Sequence, residues 1–177
     1  MVADADSKAM PKSFAPVFDE QARILVLGSM PGVRSLQAQR YYAHPRNAFW
    51  PIMGALLDFD PASDYDARLN QLMRHRIALW DVIARCRRPG SLDQRIDPAS
   101  IVANDFGWIL DRCPSLTRVV FNGRAAEQAW FRHVDPTLPA SWRDLERVLM
   151  PSTSPAHASL TIEQKRSTWA SAVPFDA

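Results

Sequence analysis

The sequence predicts an α/β domain of three layers, with a central four-stranded, mainly parallel sheet between two layers of helices. Two observations predict it. Four short apolar runs, at 23–28, 77–83, 117–121 and 145–150, have the unbroken hydrophobicity of strands buried on both faces. The stretches between them carry apolar residues at helical spacing, and strands that alternate with helices pair in parallel under helices on both faces.

The elements follow in order. Arg23 to Gly28 is the first strand, and Ser29-Met30-Pro31-Gly32 is the turn that closes it. Phe49, Trp50, Ile52, Met53, Leu56 and Leu57 mark a helix over 47–57, and Leu69 and Leu72 mark the inward face of a second over 64–75. A strand over 77–83 follows. Asp97-Pro98 then reads as the start of a helix running to about 112, with Asp97 as cap and Pro98 at the first helical position. Asn122-Gly123 ends the third strand and leads into a helix over 124–133. The fourth strand gives way to a loop at 151–158, rich in Ser, Thr and Pro, and a last helix over 161–172. Residues 1–20 show no apolar period and are expected to form a loose tail, leaving 21–177 as a single domain.

Composition fits this picture. A chain of 177 residues that is 47% apolar can build one proper core. The net charge of +2 is too small to announce a nucleic-acid partner by itself. Its kind says more, because arginine far outnumbers lysine and Arg85, Arg87 and Arg88 cluster, and a planar guanidinium suits phosphate. Arginines on a solvated face are the plainer reading. Two cysteines, Cys86 and Cys113, are too few for a disulfide scaffold or a four-cysteine cluster and read as buried, reduced thiols of a cytosolic protein. No apolar stretch has the length of a membrane span, and the polar, acidic start does not read as a signal peptide.

In sheets of this kind, ligands bind beyond the carboxyl ends of the strands. Those ends deliver Gly28-Ser29-Met30-Pro31, Asp81, Asn122-Gly123 and Pro151-Ser152-Thr153-Ser154 to one edge. The first turn lacks the lysine and hydroxyl of a P-loop and has no G-x-G-x-x-G pattern, which disfavours nucleoside-triphosphate chemistry. After it, Tyr41-Tyr42-Ala43-His44-Pro45-Arg46-Asn47-Ala48-Phe49-Trp50 crowds two aromatics, a histidine, an arginine and an asparagine into a loop. Aromatic faces stack on bases. Asn47 is equally placed to cap the helix behind it, and Tyr42 to pack on Phe49.

The string YAHPRNAFW resembles the first motif of the uracil-DNA glycosylase superfamily, in its mismatch-specific and hypoxanthine-DNA glycosylase branches. PSTSPAHA resembles the second motif, a loop that presses on the DNA backbone, and 78–83 stands where the superfamily keeps its base-recognition strand. The likeness runs from about 22 to 172. It implies a uracil-DNA glycosylase-like fold and a monofunctional enzyme that flips a deaminated base, hypoxanthine first, out of double- or single-stranded DNA and hydrolyses its glycosidic bond. The superfamily usually has Asp or Asn at the third position of the first turn to orient water. Met30 stands there instead, and a thioether cannot polarise water. In the hypoxanthine branch the catalytic residue is the asparagine of the His-Pro string, which is Asn47 here.

What the resemblance implies for the site is then specific. Asn47 holds water below C1′, and Tyr42 stacks on the base. Asp81 accepts from its N–H edge, with a turn cap as the other reading, and the backbone of Gly28, Ser29, Met30 and Pro31 takes up charge on the leaving group. Ser152, Ser154, His157, Arg46 and Arg87 contact the DNA backbone, with Arg85 and Arg88 as further candidates. No histidines stand at ligand spacing and the zinc-deaminase signature is absent, so neither metal nor cofactor is expected. The only lysines, Lys8, Lys12 and Lys165, lie near the termini, which predicts hydrolysis without a Schiff-base strand cut. A monomer working in the cytoplasm, on a bacterial-type nucleoid and away from membranes, is expected. The alternatives are a uracil or mismatch-specific glycosylase, an inactive DNA-binding homologue, and a hydrolase of free nucleosides.

Overall fold

The computed structural model describes residues 10–173. Its main sheet contains β1 (Ile24–Gly28), β2 (Ile77–Asp81), β5 (Arg118–Asn122) and β6 (Glu146–Met150), ordered β2-β1-β5-β6 with all three pairings parallel. The expected three-layer architecture is borne out. Along the strands, side chains alternate between two cores. Leu25, Leu27, Ala78, Trp80, Val119 and Phe121 face α4 (Phe106–Arg112) and α5 (Arg124–His133), which supply Ile109, Leu110 and Trp130. Ile24, Val26, Ile77, Leu79 and Val120 face α2 (Phe49–Leu57), α3 (Tyr65–Arg74) and α6 (Ile162–Trp169), which supply Phe49, Leu72 and Trp169. A strand with apolar residues on both sides has no solvent face, and this is why these runs show no alternation.

Two expectations need correction, and one helix went unread. The stretch from Met10 to Glu20 is not loose. It runs antiparallel along β2, where Val17 and Leu79 exchange backbone hydrogen bonds of 2.9 and 2.8 Å and the Ser13 amide donates to the Ala84 carbonyl. β2 is a sheet edge, and an edge left open exposes unpaired amides and carbonyls. Phe14 and Phe18 pin the segment by packing against the two cores. Residues 1–9, the rest of the expected tail, lie outside the described ones.

The single helix expected over 97–112 is broken. Asp97 does cap, accepting from the Ala99 amide, but only a 3-10 turn at Pro98–Ser100. The chain then extends as β4 (Val102–Ala103) to pair antiparallel with β3 (Ile83–Arg85), and Asp105 caps the true helix at the Trp108 amide. The short second sheet outweighs helix continuity here. Finally, α1 (Val33–Ala38) was not foreseen, because it buries only Ser35 and carries no apolar stripe to reveal it. No described helix is long and apolar enough to cross a membrane.

Candidate active site

The strand ends assemble a cavity of about 150 Å³, of the order that admits one aromatic ring. Gly28, Ser29, Met30, Pro31, Tyr42, Asn47, Asp81, Ser152 and Ser154 all line it, as do His44, Asp93, Asn122 and Thr153. Nine of the expected site residues therefore meet at one place. The other three stand outside it.

Asp81 ends β2 opposite Gly28 and is buried, with 3% of its surface exposed. Its Oδ2 has no hydrogen-bond partner. Burial, reinforced by the Asp93 carboxylate and opposed by Arg88, pushes its carboxyl up to about 7. The turn-cap reading of Asp81 fails on geometry, since its side chain makes no bond to a backbone amide. A buried carboxylate oxygen without a partner is costly unless a ligand supplies the donor.

Tyr42 sits beside it in the left-handed region, φ 54°. One ring face is stacked on Phe49, with centroids 4.1 Å apart. Packing on Phe49 and lining the cavity are thus both true of this ring. Its hydroxyl is buried without a partner, and burial, then the Asp81 charge, push its pKa far up, so it keeps its proton.

Asn47 carries two duties as well. Its Oδ1 accepts from the Phe49 amide at 3.0 Å, while the side chain lines the cavity; the N-cap position of α2 itself falls on Ala48, so the N-cap reading of Asn47 misses by one residue. An amide oxygen has a second lone pair, and the NH₂ group is uncommitted. The next amide, on Ala48, donates to the Thr153 carbonyl, which ties the first motif to the 151–158 loop. Asn122 completes the tie. It donates from Nδ2 to Thr153 Oγ1 and accepts the Thr153 amide at Oδ1, both at 2.9 Å.

Two further residues, one given another role by sequence reasoning and one passed over, organise the walls. Arg88 was expected among the DNA contacts. Instead its side chain is 1% exposed and lies under the first turn, donating to the carbonyls of Met30, Pro31 and Gly90. A guanidinium has five donors in a fixed fork, and the turn's carbonyls meet three directions of it. Asp93 accepts from the Ser29 hydroxyl at 2.8 Å. Only the run Arg85-Cys86-Arg87-Arg88 hinted at this, and alternation along it sends Cys86 and Arg88 inward and the other two outward.

The 152–157 loop is built by its own hydroxyls. Ser152 Oγ accepts from the Ser154 amide, and Ser154 Oγ from the Ala156 amide. Gly123, at φ 96°, lets the loop pass close, for a Cβ there would stand 2.9 Å from Ser152 Cβ. Lys165, terminal in sequence, proves to be buried beneath this loop, its Nζ donating to the carbonyls of His157 (2.7 Å) and Ser154 (3.4 Å). His157 lines a neighbouring groove rather than the cavity. Arg46 is exposed, and Arg87 is exposed but paired with Asp97 at 2.9 Å. Among the described residues, no cluster of His, Cys, Asp or Glu has the makings of a metal site.

A ring-sized cavity at the carboxyl edge of a parallel sheet, with an unpaired carboxylate at its floor and a carboxamide in its wall, defines a protein built to hold a small polar heterocycle. The uracil DNA glycosylase superfamily matches residues 15–173, and the chain belongs to that superfamily. It is similar to a "Hypoxanthine DNA glycosylase" from Methanosarcina barkeri, 36% identical over 162 residues that cover 91% of this chain and 96% of the relative. A second "Hypoxanthine DNA glycosylase", from Methanosarcina acetivorans, is 34% identical over 159 residues, covering 89% and 94%. The fold is similar to the solution NMR structure of a Methanosarcina acetivorans protein proposed to be a uracil DNA glycosylase. That structure gives a TM-score of 0.77 at 32% identity over 95% of this chain and 98% of the other.

Proposed function

We propose that the protein is a monofunctional DNA glycosylase that removes a deaminated base, hypoxanthine first, by hydrolysis of the bond between base and C1′. The unpaired Asp81 Oδ2 at the cavity floor carries this reading. An ionised carboxylate only accepts hydrogen bonds. Hypoxanthine presents an N1–H to it, whereas adenine presents a lone pair at the same place and is repelled. One proton thus separates the damaged base from the normal one. The two relatives named as hypoxanthine DNA glycosylases support the choice of base.

The nucleotide must first leave the stack, at a cost of a few kcal/mol that is smaller at a mispair. The base then slides beside Tyr42 with its edge on Asp81. As the C1′–N bond breaks, the sugar becomes oxocarbenium-like and charge grows on the base. The turn from Ser29 to Gly32, with the buried Arg88 cation under its carbonyls, provides a positive environment for that charge. Asn47 holds water for attack at C1′ through its free lone pair. An amide is no base, so its work is positioning and dipolar stabilisation. Met30 cannot assume this task and serves as apolar wall. Ser152, Ser154, His157 and Arg46 contact phosphates flanking the flipped residue. Arg87 joins them by turning from Asp97. Lys165 is no candidate for a Schiff base, since its amine points into the loop's carbonyls.

The test is a single-turnover panel of duplexes holding hypoxanthine, uracil, xanthine or ethenocytosine, run beside Asn47→Ala. Hypoxanthine is expected to be cut fastest and to leave an alkali-labile site without prior strand scission. Asn47→Ala is expected to lose about 100-fold or more in rate. Because Asn47 also holds the Phe49 amide, Asn47→Ser keeps an acceptor oxygen for it while removing the carboxamide. A serine variant as active as wild type, or uracil cut faster than hypoxanthine, overturns the respective part of this reading.

A further inference from the structure

We propose that Arg68 and Arg40, across the 42–47 loop from the base cavity, form a second binding site that takes a phosphate group. That the phosphate belongs to a DNA strand rests on the DNA-glycosylase reading above; the anion site itself does not.

The site begins with an aromatic platform. Trp50, in α2, donates from its indole to the Tyr41 carbonyl at 3.0 Å. Tyr65, the first residue of α3, accepts the Tyr41 amide at its hydroxyl at 2.9 Å. The two rings meet edge to face with centroids 6.1 Å apart, so both are fastened to the residue before Tyr42. The Arg68 guanidinium lies 4.6 Å from the centre of the Trp50 ring and 5.5 Å from that of Tyr65. Arg40 lies 5.4 Å from the centre of Tyr65. Two cations therefore share one tyrosine ring.

What they lack is an anion. Arg68 Nε is buried without a hydrogen-bond partner, and neither arginine forms an ion pair among the described residues. Burial holds the Arg68 pKa below its ordinary value, with the Tyr65 hydroxyl opposing and the Arg40 charge adding to the effect. For the exposed Arg40 alone, a solvated face is explanation enough. It does not account for Arg68, whose Nε meets neither water nor a protein acceptor. Acceptors are at hand, since Asp64 and Asp66 line one depression with both arginines, yet no pair forms. Arg112 shows the contrast. It also stacks on an aromatic ring, 4.3 Å from the centre of Trp108, but spends a donor on the Trp108 carbonyl. Stacking uses the faces of a guanidinium and leaves its in-plane N–H groups free. Held against the rings with those groups unspent, Arg68 and Arg40 are pre-organised for the forked contact that arginine makes with phosphate.

Location names the source. Both arginines line a pocket whose wall includes Tyr42, His44 and Asn47, and the same three residues line the base cavity. A strand whose nucleotide enters the cavity brings its flanking phosphates to this wall. A phosphate held on its far side sets the strand's register against the loop that carries Asn47.

The experiment measures binding of wild type, Arg68→Met and Arg68→Lys to a duplex with a 2′-fluoro lesion nucleotide, which resists hydrolysis. One phosphate at a time on the lesion strand is replaced by a neutral methylphosphonate. Arg68→Met keeps a stem to lie on Trp50, and Arg68→Lys keeps the charge. In wild type, one linkage beside the lesion is expected to cost about 5- to 10-fold in affinity when neutralised. Arg68→Met is expected to bind the native duplex weaker by the same factor and to be indifferent to that linkage. The slope of log affinity against log salt should fall by about 1 in Arg68→Met and be kept in Arg68→Lys. Arg112→Met should alter neither. In a second arm, phosphate in place of chloride at equal ionic strength should raise the melting temperature of wild type by a few degrees and leave Arg68→Met unmoved. A methionine variant that binds native duplex like wild type, or still feels every linkage that wild type feels, overturns the strand as the source. If phosphate also fails to raise the wild-type melting temperature, the site falls altogether. Binding is scored without chemistry, so a linkage effect lost in Arg68→Met beside a wild type that excises nothing sinks the hydrolase reading alone.

Discussion

The carboxylate of Asp81 occupies the space that a side chain on residue 28 would need. The two are register partners across β1 and β2, and a Cβ built on Gly28 would stand 2.4 Å from Asp81 Oδ1 and 3.2 Å from the Tyr42 hydroxyl. Glycine is required here for its lack of a side chain rather than for an unusual φ. It lets two buried polar groups reach the cavity floor together.

Gly28→Ala is therefore expected to push Asp81 and Tyr42 out of place. Overpacking of this sort costs about 1–3 kcal/mol of stability. The larger effect is expected on excision, where a misplacement of about 1 Å can cost on the order of 100-fold. Thermal unfolding and single-turnover rates on hypoxanthine DNA check both. An alanine variant with wild-type rate would show that the carboxylate's position is immaterial to the base.

A second expectation concerns pH. The form of Asp81 that accepts from N1–H is the ionised one, and burial with the neighbouring Asp93 raises its pKa to about 7. Asp93 is also held up by burial, with the Ser29 hydroxyl and Arg88 opposing. The rate of hypoxanthine excision should then rise with pH through about 7 and flatten above it. Stability should move in the opposite sense. Between the ordinary carboxyl value of 3.8 and about 7, the folded protein holds a proton that the unfolded chain releases. Stability from this group is greatest at the acid end and falls as pH rises through that window, by on the order of a few kcal/mol. Asp81→Asn should flatten this slope, be the more stable protein at neutral pH, and lose its discrimination against adenine. Arg88→Met, which removes the one cation that lowers Asp81, should shift the rate profile to higher pH. A wild-type profile without a limb near 7, or one that Asp81→Asn leaves unchanged, counts against the assignment.

Much of this architecture was legible because strands buried on both faces advertise themselves. Ile24–Gly28 and Ile77–Asp81 are fully buried runs, and the rule that ligands sit beyond strand ends led to Asp81 and the first turn, which line the cavity there. What escaped was set by tertiary context. Only alternation with the apolar Cys86 tells Arg88 from Arg87, yet one is sealed under a turn and the other faces solvent. Asp97-Pro98 has the chemistry of a helix start, but the demand of β3 for a partner stops the helix after one turn. The stretch Met10–Glu20 carries Phe14, Val17 and Phe18 without a regular apolar period, so its ordering along an open sheet edge went unread. Lys165 looked remote because sequence distance hides that α6 returns under the 152–157 loop.

That return suggests the last expectation. Lys165 is 4% exposed, and its ammonium is satisfied by the carbonyls of Ser154 and His157, with no carboxylate in an ion pair with it among the described residues. Burial pushes its pKa down. A charge kept in so costly a place does more than pack, since a methionine would fill similar volume without desolvating an ion. We assign it the task of holding the loop that bears Ser152, Ser154 and His157 against the DNA backbone, with its positive charge behind the phosphates. Lys165→Met should retain the fold, since α6 is anchored separately by Trp169, whose indole donates to the Pro151 carbonyl at 3.0 Å. Its DNA affinity should fall about tenfold, with the loss similar for damaged and undamaged duplex, because the loop that meets the phosphates loses its support. Lys165→Arg should recover only part of this, because a planar fork cannot reproduce the paired carbonyl contacts of an ammonium. Binding isotherms for the three proteins check this. A methionine variant whose affinity matches wild type would leave Lys165 no role in holding DNA.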